Sequence, residues 1–237
     1  MRGDRCVGVM SGTSLDGVDA VLADFTPAVP AGTLLAATHV AFPSDLKREL
    51  AALQDAGPDE IVRAARAANA LADLYVHALT SVCLAAGVAA HDVVAAGVHG
   101  QTVRHRPHEG WTLQVNNPAR VAERAYMTVV ADFRTRDVAA GGQGAPLVPA
   151  FHAARFAQRG RARVVVNIGG IANVTLLPAR GDVRGFDTGP GNVLMDVASE
   201  RHLGAPFDAG GAWAASGRVD AVLLAALLDE PLSLIHI

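Results

Sequence analysis

The sequence is poor in the features that mark several large function classes. It has two cysteines, Cys6 and Cys83, each set in an apolar stretch, which argues against a disulfide framework and reads as two buried thiols in a reducing compartment. It has no block of Lys or Arg, and a net charge of -3 leaves no electrostatic footprint for nucleic acid or an anionic membrane surface. The opening Met1-Arg2-Gly3-Asp4-Arg5 leads into an apolar run that soon meets glycine and serine, too short for a signal-peptide core or a membrane span. A cytoplasmic location is therefore expected. The chain also lacks a Walker A sequence, since neither of its glycine-rich turns is followed by Gly-Lys-Ser/Thr.

What is present is an apolar chain of moderate length. With 237 residues, 51% apolar and 18% charged, it can fill one large core or two modest ones, and disorder is excluded. Cys6 to Met10 reads as a short buried strand, and Val18 to Phe25 as the returning strand of a hairpin, with Leu34 to Phe42 extending the sheet. A helical pattern starts at Ser44. After Gly57-Pro58 a long helix is predicted, with Ile61, Ala65, Ala68, Leu71, Tyr75, Leu79 and Val82 on one core-facing stripe and an end near Gly87. Val93 to Val98, Trp111 to Val115 and Met127 to Ala131 read as strands and Pro118 to Ala125 as a helix, which makes an α/β mixed sheet. The layout then recurs, with Val164 to Ile168, a glycine turn, Ile171 to Leu177, a strand ending near Phe186 and a helix over about Asn192 to Glu200. A duplicated unit with a cleft between its halves is the expected architecture, with a first domain over residues 1–158 and a second over 159–237.

Two turns carry the chemistry. Gly12-Thr13-Ser14-Leu15-Asp16-Gly17-Val18-Asp19 and Phe186-Asp187-Thr188-Gly189-Pro190-Gly191-Asn192 each set a carboxylate beside glycines and hydroxyls. Such turns bring backbone N–H groups close to an anion, while Asp can hold Mg²⁺ or activate a nucleophile, as phosphoryl transfer requires. Ordinary readings compete with this one. The first turn can be a plain hairpin closed by Asp16-Gly17, and Asp187 can cap the helix that follows Pro190. His99, Gln101 and Arg104 follow a buried strand at its carboxyl end, where α/β sheets bind ligands, yet such residues are also often simply solvated. Arg134 and Arg136 can pair with Asp132 and Asp137, Gly141 to Gly144 can be a flexible loop, and Asn167 and Asn173 can serve a tight hairpin.

Taken together and in order, MSGTSLDGVD from Met10, His99-Gly100-Gln101-Thr102, Ala131-Asp132-Phe133-Arg134, the Ala140 to Pro149 loop, Asn167 to Asn173 and Phe186 to Asn192 resemble the anhydro-N-acetylmuramic acid kinase family over about Cys6 to Pro231. The resemblance implies two ribonuclease-H-like domains of the actin, hexokinase and sugar-kinase superfamily. It implies ATP with Mg²⁺ as cofactor, 1,6-anhydro-N-acetylmuramic acid as small-molecule substrate, no nucleic-acid or membrane partner, and an assembly for which a homodimer is an option. By position it assigns Gly12, Thr13, Ser14, Leu15, Asp16, Gly17, Val18 and Asp19, with Gly169 and Gly170, to ATP phosphates. Asp187 matches the catalytic base, and His99, Gln101, Arg134, Asp187 and Thr188 fall at sugar contacts, Arg134 facing the muramyl lactate carboxylate. Another sugar or acyl kinase, or a silent sugar-binding fragment, are the competing readings.

Asn116-Asn117 departs from the family pattern, which has a glycine before the polar residue. The resemblance stops after Asp229-Glu230-Pro231, so that Leu232 to Ile237 reads as a foreign tail on a cut second domain, and the chain beyond about residue 160 is expected to be prone to aggregation or partial unfolding.

Overall fold

The computed structural model describes residues 4–229. The expected tail at Leu232 to Ile237 lies outside the described residues. The chain falls into two compact units, residues 1–144 and 145–237.

The first unit begins with three antiparallel strands, β1 (Asp4–Ser11), β2 (Gly17–Thr26) and β3 (Val29–Ala41). Helices α1 (Ser44–Ala52) and α2 (Glu60–Ala86) follow, then β4 (Ala95–Val98), the hairpin β5 (Gln101–Arg106) and β6 (Trp111–Val115), α3 (Pro118–Ala125), β7 (Val129–Ala131) and α4 (Thr135–Ala139). The main sheet has the order β3-β2-β1-β4-β7, with β1, β4 and β7 parallel. Period-2 alternation sets its faces. Val18, Ala20 and Leu22 of β2 point into the core beside Val7 and Val9 of β1, while Asp19 points out.

Helix α2 closes this core with Leu71, Tyr75, Leu79 and Val82, all with no exposed surface, joined by Ala67, Ala72, Ala78 and Cys83. The predicted stripe is therefore right over its second half and wrong at its start. Ile61 is 88% exposed and Ala65 is also exposed, while Glu60 and Arg63 in the first turns pair with Arg104 and Glu49. By length and composition α2 is apolar enough to cross a membrane, but half of its apolar window is buried within the protein, as a core helix requires. Gly87 ends it in a left-handed conformation. Of the two thiols, Cys83 is buried and Cys6 only half-buried. Burial pushes the Cys83 thiol up from its ordinary value, which keeps it unreactive.

Two local differences from the sequence reading have clear causes. Gln101 to Arg106 is a strand, because Gln101, Val103 and His105 alternate inward and the segment pairs with β6 around an irregularity at Val103. Asn117 is a helix cap, its Oδ1 accepting from Arg120 N at 3.0 Å with Pro118 at the first helical position.

The second unit holds α5 (Pro149–Phe156), an antiparallel sheet of β8 (Arg163–Ile168), β9 (Ile171–Leu177) and β10 (Arg184–Pro190) in the order β10-β9-β8, then α6 (Val193–Leu203), α7 (Ala212–Ser216) and α8 (Ala221–Asp229). The helix α5 belongs with this sheet: His152 Nδ1 lies 2.8 Å from Thr175 Oγ1 of β9, both buried. Among the described residues of this unit, Leu177 is the one large apolar side chain that is buried.

Candidate functional site

In the first unit the site follows from strand direction. Because β1, β4 and β7 are parallel, their carboxyl ends share one edge of the sheet, and three separate sequence motifs meet there: Ser11-Gly12, His99-Gly100-Gln101 and Asp132-Phe133-Arg134.

The turn between β1 and β2 is anchored from below. Ser11 Oγ, buried, lies 2.8 Å from Tyr75 Oη and donates to Gly100 O at 3.4 Å. Burial pushes the Tyr75 hydroxyl well above its usual range, so it remains a neutral partner. Gly12 O accepts from Leu15 N at 3.2 Å and from Gln101 Nε2 at 3.1 Å. Leu15 has a positive φ of 53° and points its side chain into the core, holding the turn up like a peg. Thr13, Ser14 and Asp16 are exposed on the turn, whereas Gly17 and Val18 are buried at the start of β2. Asp19 is exposed and pairs with His39 Nδ1 of β3 at 2.9 Å.

His99 and Gln101 are both buried. Gln101 donates to Gly12 O and to Thr102 O, so it ties the β4–β5 connection to the glycine turn, and its Oε1 is a buried acceptor with no partner among the described residues. Gly100 has φ +82°, and a Cβ there would sit 2.9 Å from Val115 O, so only glycine fits. His99 Nδ1 bonds to Gly100 O at 2.7 Å, and its Nε2 accepts from Arg134 Nε at 2.9 Å. Burial first, and the Arg134 charge second, push His99 down to about 4. Arg134 also donates through Nη1 to Gly144 O, and Gly144 N donates to Asp137 Oδ2 at 2.7 Å. Gly142 N donates to Asp137 O at 2.8 Å, so the Gly141 to Gly144 stretch is folded onto α4 and is no loose loop. Asp132, in a left-handed conformation with φ 61°, accepts from Thr135 N.

In the second unit, register places Asn167, Asn173 and Asp187 in one row across β8, β9 and β10. A bulge follows Asp187, and Thr188, exposed, donates to Ala172 O at 3.1 Å. Gly169 and Gly170 form the turn between β8 and β9. Gly191 N donates to Gly170 O and Asn192 N to Gly169 O, each at 2.8 Å, so this turn is fastened to the end of β10. A Cβ on Gly191 would lie 2.0 Å from Gly169 O. Asp187 sits on β10 and is half-buried, while the cap position of α6 is Asn192, which makes no side-chain capping bond. Asp187 thus lies mid-strand, just before the bulge of β10, and the cap position of α6 belongs to Asn192.

The structure brings Gly12 to Asp19, His99, Gln101 and Arg134 together in one unit, and Gly169, Gly170, Asp187 and Thr188 in the other. Sequence reasoning missed Tyr75 as a polar anchor, although a tyrosine on a core stripe needs a partner for its hydroxyl. It also missed His39, and it read Asp137 only as an ion-pair partner and Gly144 only as a loop glycine, because their bonds depend on how the loop folds.

Among the described residues, no group of three or more His, Cys, Asp or Glu side chains is placed to hold a metal. A Mg²⁺ carried in by a nucleotide needs only one or two carboxylates, and exposed Asp16 on the glycine turn meets that demand.

Comparison with known proteins agrees with these motifs. A family model described as anhydro-N-acetylmuramic acid kinase matches residues 4–233. The anhydro-N-acetylmuramic acid kinase of Cupriavidus pinatubonensis is 56% identical over 235 residues, covering 97% of this chain and 62% of that protein. That of Paraburkholderia xenovorans is 56% identical over 224 residues, covering 94% and 59%, and that of Cupriavidus metallidurans 54% over 232 residues, covering 95% and 60%. The chain thus spans about three fifths of the length of these relatives. A solved structure, component A of the Acidaminococcus fermentans (R)-2-hydroxyglutaryl-CoA dehydratase, is 10% identical with a TM-score of 0.37, over 83% of this chain and 53% of that one, too distant to bear on the chemistry. By the family match and the identity along nearly all of its length, the chain belongs to the anhydro-N-acetylmuramic acid kinase family.

Proposed function

We propose that the chain carries the sugar-binding and phosphate-binding elements of an ATP-dependent kinase that converts 1,6-anhydro-N-acetylmuramic acid to N-acetylmuramic acid 6-phosphate. The observation that supports it best is the shared carboxyl edge of β1, β4 and β7, where a glycine-rich turn, His99, Gln101 and Arg134 lie side by side. In this reading the architecture is a pair of ribonuclease-H-like domains, each presenting a glycine-rich turn to the reactants. Family membership and the recurrence of the three-strand antiparallel order support that reading.

The reaction balances with one water. Water attacks C1 of the sugar and the C1–O6 bond breaks; O6 bonds to the γ-phosphorus, whose bond to the β-bridging oxygen breaks to release ADP. The water proton passes to Asp187, a half-buried carboxylate beside the bulge of β10. Thr13, Ser14 and the turn N–H groups receive phosphate oxygens, with Gly169 and Gly170 serving the same purpose in the second unit. Asp16 would supply a carboxylate to a Mg²⁺ carried in with the nucleotide, which would neutralise phosphate charge there. Arg134 takes the lactate carboxylate of the sugar. The enzyme works in the cytoplasm, with a homodimer as an option for its assembly.

A coupled ADP-release assay with 1,6-anhydro-N-acetylmuramic acid tests this. Sugar-dependent ADP release is expected, and Asp187→Asn should lower it by about 10²-fold or more while ATP binding persists. Wild-type turnover in Asp187→Asn would remove the base assignment; sugar-independent ADP release would remove the substrate.

A further inference from the structure

We infer that His99 is a positioning residue whose neutral imidazole locks the plane of Arg134, and that it acts on the substrate carboxylate only through that guanidinium. The inference rests on the proposed role of Arg134 and deepens it, because the resemblance alone assigns His99 to direct sugar contact.

Both ring nitrogens are accounted for. Nδ1 lies 2.7 Å from Gly100 O, a carbonyl that can only accept, so Nδ1 carries the proton. Nε2 is then the acceptor, and it meets Arg134 Nε at 2.9 Å, a group that can only donate. The two contacts demand the same tautomer. The ring itself is 8% exposed, which leaves little surface for a ligand. Its orientation is fixed in turn by Gly100, whose carbonyl also accepts from Ser11 Oγ beneath the glycine turn and whose backbone conformation admits no Cβ.

Arg134 is held at a second point. Its Nη1 donates to Gly144 O, and Gly144 N donates to the Asp137 carboxylate on α4. Two acceptors at different nitrogens of one planar group fix that plane, which a single contact would leave free to swing about its bond. A guanidinium recognises a carboxylate as a planar fork, so a fixed plane lowers the entropy lost on binding. A protonated His99 would present a donor to a donor and a cation to a cation, so the arrangement requires the imidazole to be neutral.

Two measurements on this 237-residue chain decide the matter. The first is ¹⁵N NMR of histidine-labelled protein at neutral pH without ligand. It should show His99 with Nδ1 protonated and Nε2 bare, and Arg134→Gln should shift Nε2. A bare Nδ1, or an Nε2 indifferent to Arg134→Gln, would overturn the inference.

The second is calorimetric binding of 1,6-anhydro-N-acetylmuramic acid and of 1,6-anhydro-N-acetylglucosamine, the same ring without the lactyl carboxylate. His99→Asn, which keeps a group near Nδ1 but none near Nε2, should cut the preference for the carboxylate sugar by about tenfold. His99→Gln, which returns an acceptor near Nε2, should restore most of it, and His99→Asn should add nothing in an Arg134→Gln background. Full preference in His99→Asn overturns the positioning role. Equal binding of both sugars by the wild type instead removes the carboxylate role of Arg134, and the spectrum alone then decides whether His99 sets its plane.

Discussion

The strands β3-β2-β1 of the first unit and β10-β9-β8 of the second are built alike, each three antiparallel strands with a glycine-rich turn between the first two. Their surroundings differ. In the first unit β1 gains β4 along its other edge, and α2 lies on the sheet with a stripe of fully buried side chains. In the second, β8 is an edge strand among the described residues, and Val164, Val166 and Ile168 on one of its faces are 60%, 58% and 64% exposed. On α6, Leu194, Met195 and Val197 are at least half exposed as well. Alternating valines make a strand in either place, but only a covered face turns that pattern into stability, at roughly 25 cal/mol per Å² of apolar surface removed from water.

Core substitutions should break this symmetry most strongly. Leu71→Ala, at a site with no exposed surface, is expected to cost about 2–5 kcal/mol, whereas Val166→Ala should stay within about 0.5 kcal/mol. Urea unfolding of the two variants compares them directly, and equal losses would mean that β8 is covered in solution. Amide exchange reads the same contrast without mutation. The amides of β1 and β2 should exchange only through global opening, those of β8 through local opening at much lower free energy. Protection of residues 164–168 equal to that of β1 would contradict the contrast, and would also remove the expectation that the chain beyond about residue 160 is prone to unfold.

The His99 site gives the first unit a pH dependence above the carboxylate range. His99 is held at about 4, below its ordinary value of 6.5, chiefly by burial. Between those values the unfolded chain binds a proton that the folded chain refuses, so stability falls as pH drops from about 6.5 to about 4 and is level above that window. The total is about 3 kcal/mol, from roughly 1.4 kcal/mol per pH unit. His99→Gln should flatten the slope over that window in thermal melts; an unchanged slope would assign it to other groups.

Much of the first unit was legible because its signals are local and periodic. The β1–β2 hairpin, the Pro118–Ala125 helix and the Gly87 end of α2 each follow from a few adjacent residues. The expected site residues of this unit were also named from motif. Their mutual support was not legible, since Ser11–Tyr75, Gln101–Gly12 and Arg134–Gly144 depend on which strands turn out parallel and on how one loop folds. Ile61 misled because helical periodicity does not reveal which turns of a long helix the core covers. In the second unit, strand pattern predicted β8, β9 and β10 but carried no information on what would cover them.

The smallest expected effect separates two carboxylates, one in each unit. Asp73 on α2 accepts from Arg120 Nε at 2.8 Å and Nη2 at 2.9 Å, and from Arg124 Nη1 at 2.6 Å, fastening α3 to α2. The Arg120 fork beside it holds its carboxyl below the usual value of 3.8, and the side chain is 42% exposed, so solvent screens much of the gain. Asp73→Asn should therefore cost about 0.5–1 kcal/mol near neutral pH. Because its pKa is lowered on folding, that contribution is complete above 3.8 and disappears as pH falls through the folded value, where the variant and the wild type should converge. Asp208 in the second unit is also lowered, but by the backbone N–H groups of Ala214 and Trp213 at 2.9 Å. Its partners are neutral dipoles and those of Asp73 are full charges, so about 0.5 M salt should erode the Asp73 contribution and leave the Asp208 cap largely intact. Equal salt sensitivity in Asp73→Asn and Asp208→Asn would show that the Arg120 fork acts as a geometric clamp, through its hydrogen bonds, more than as a charge pair.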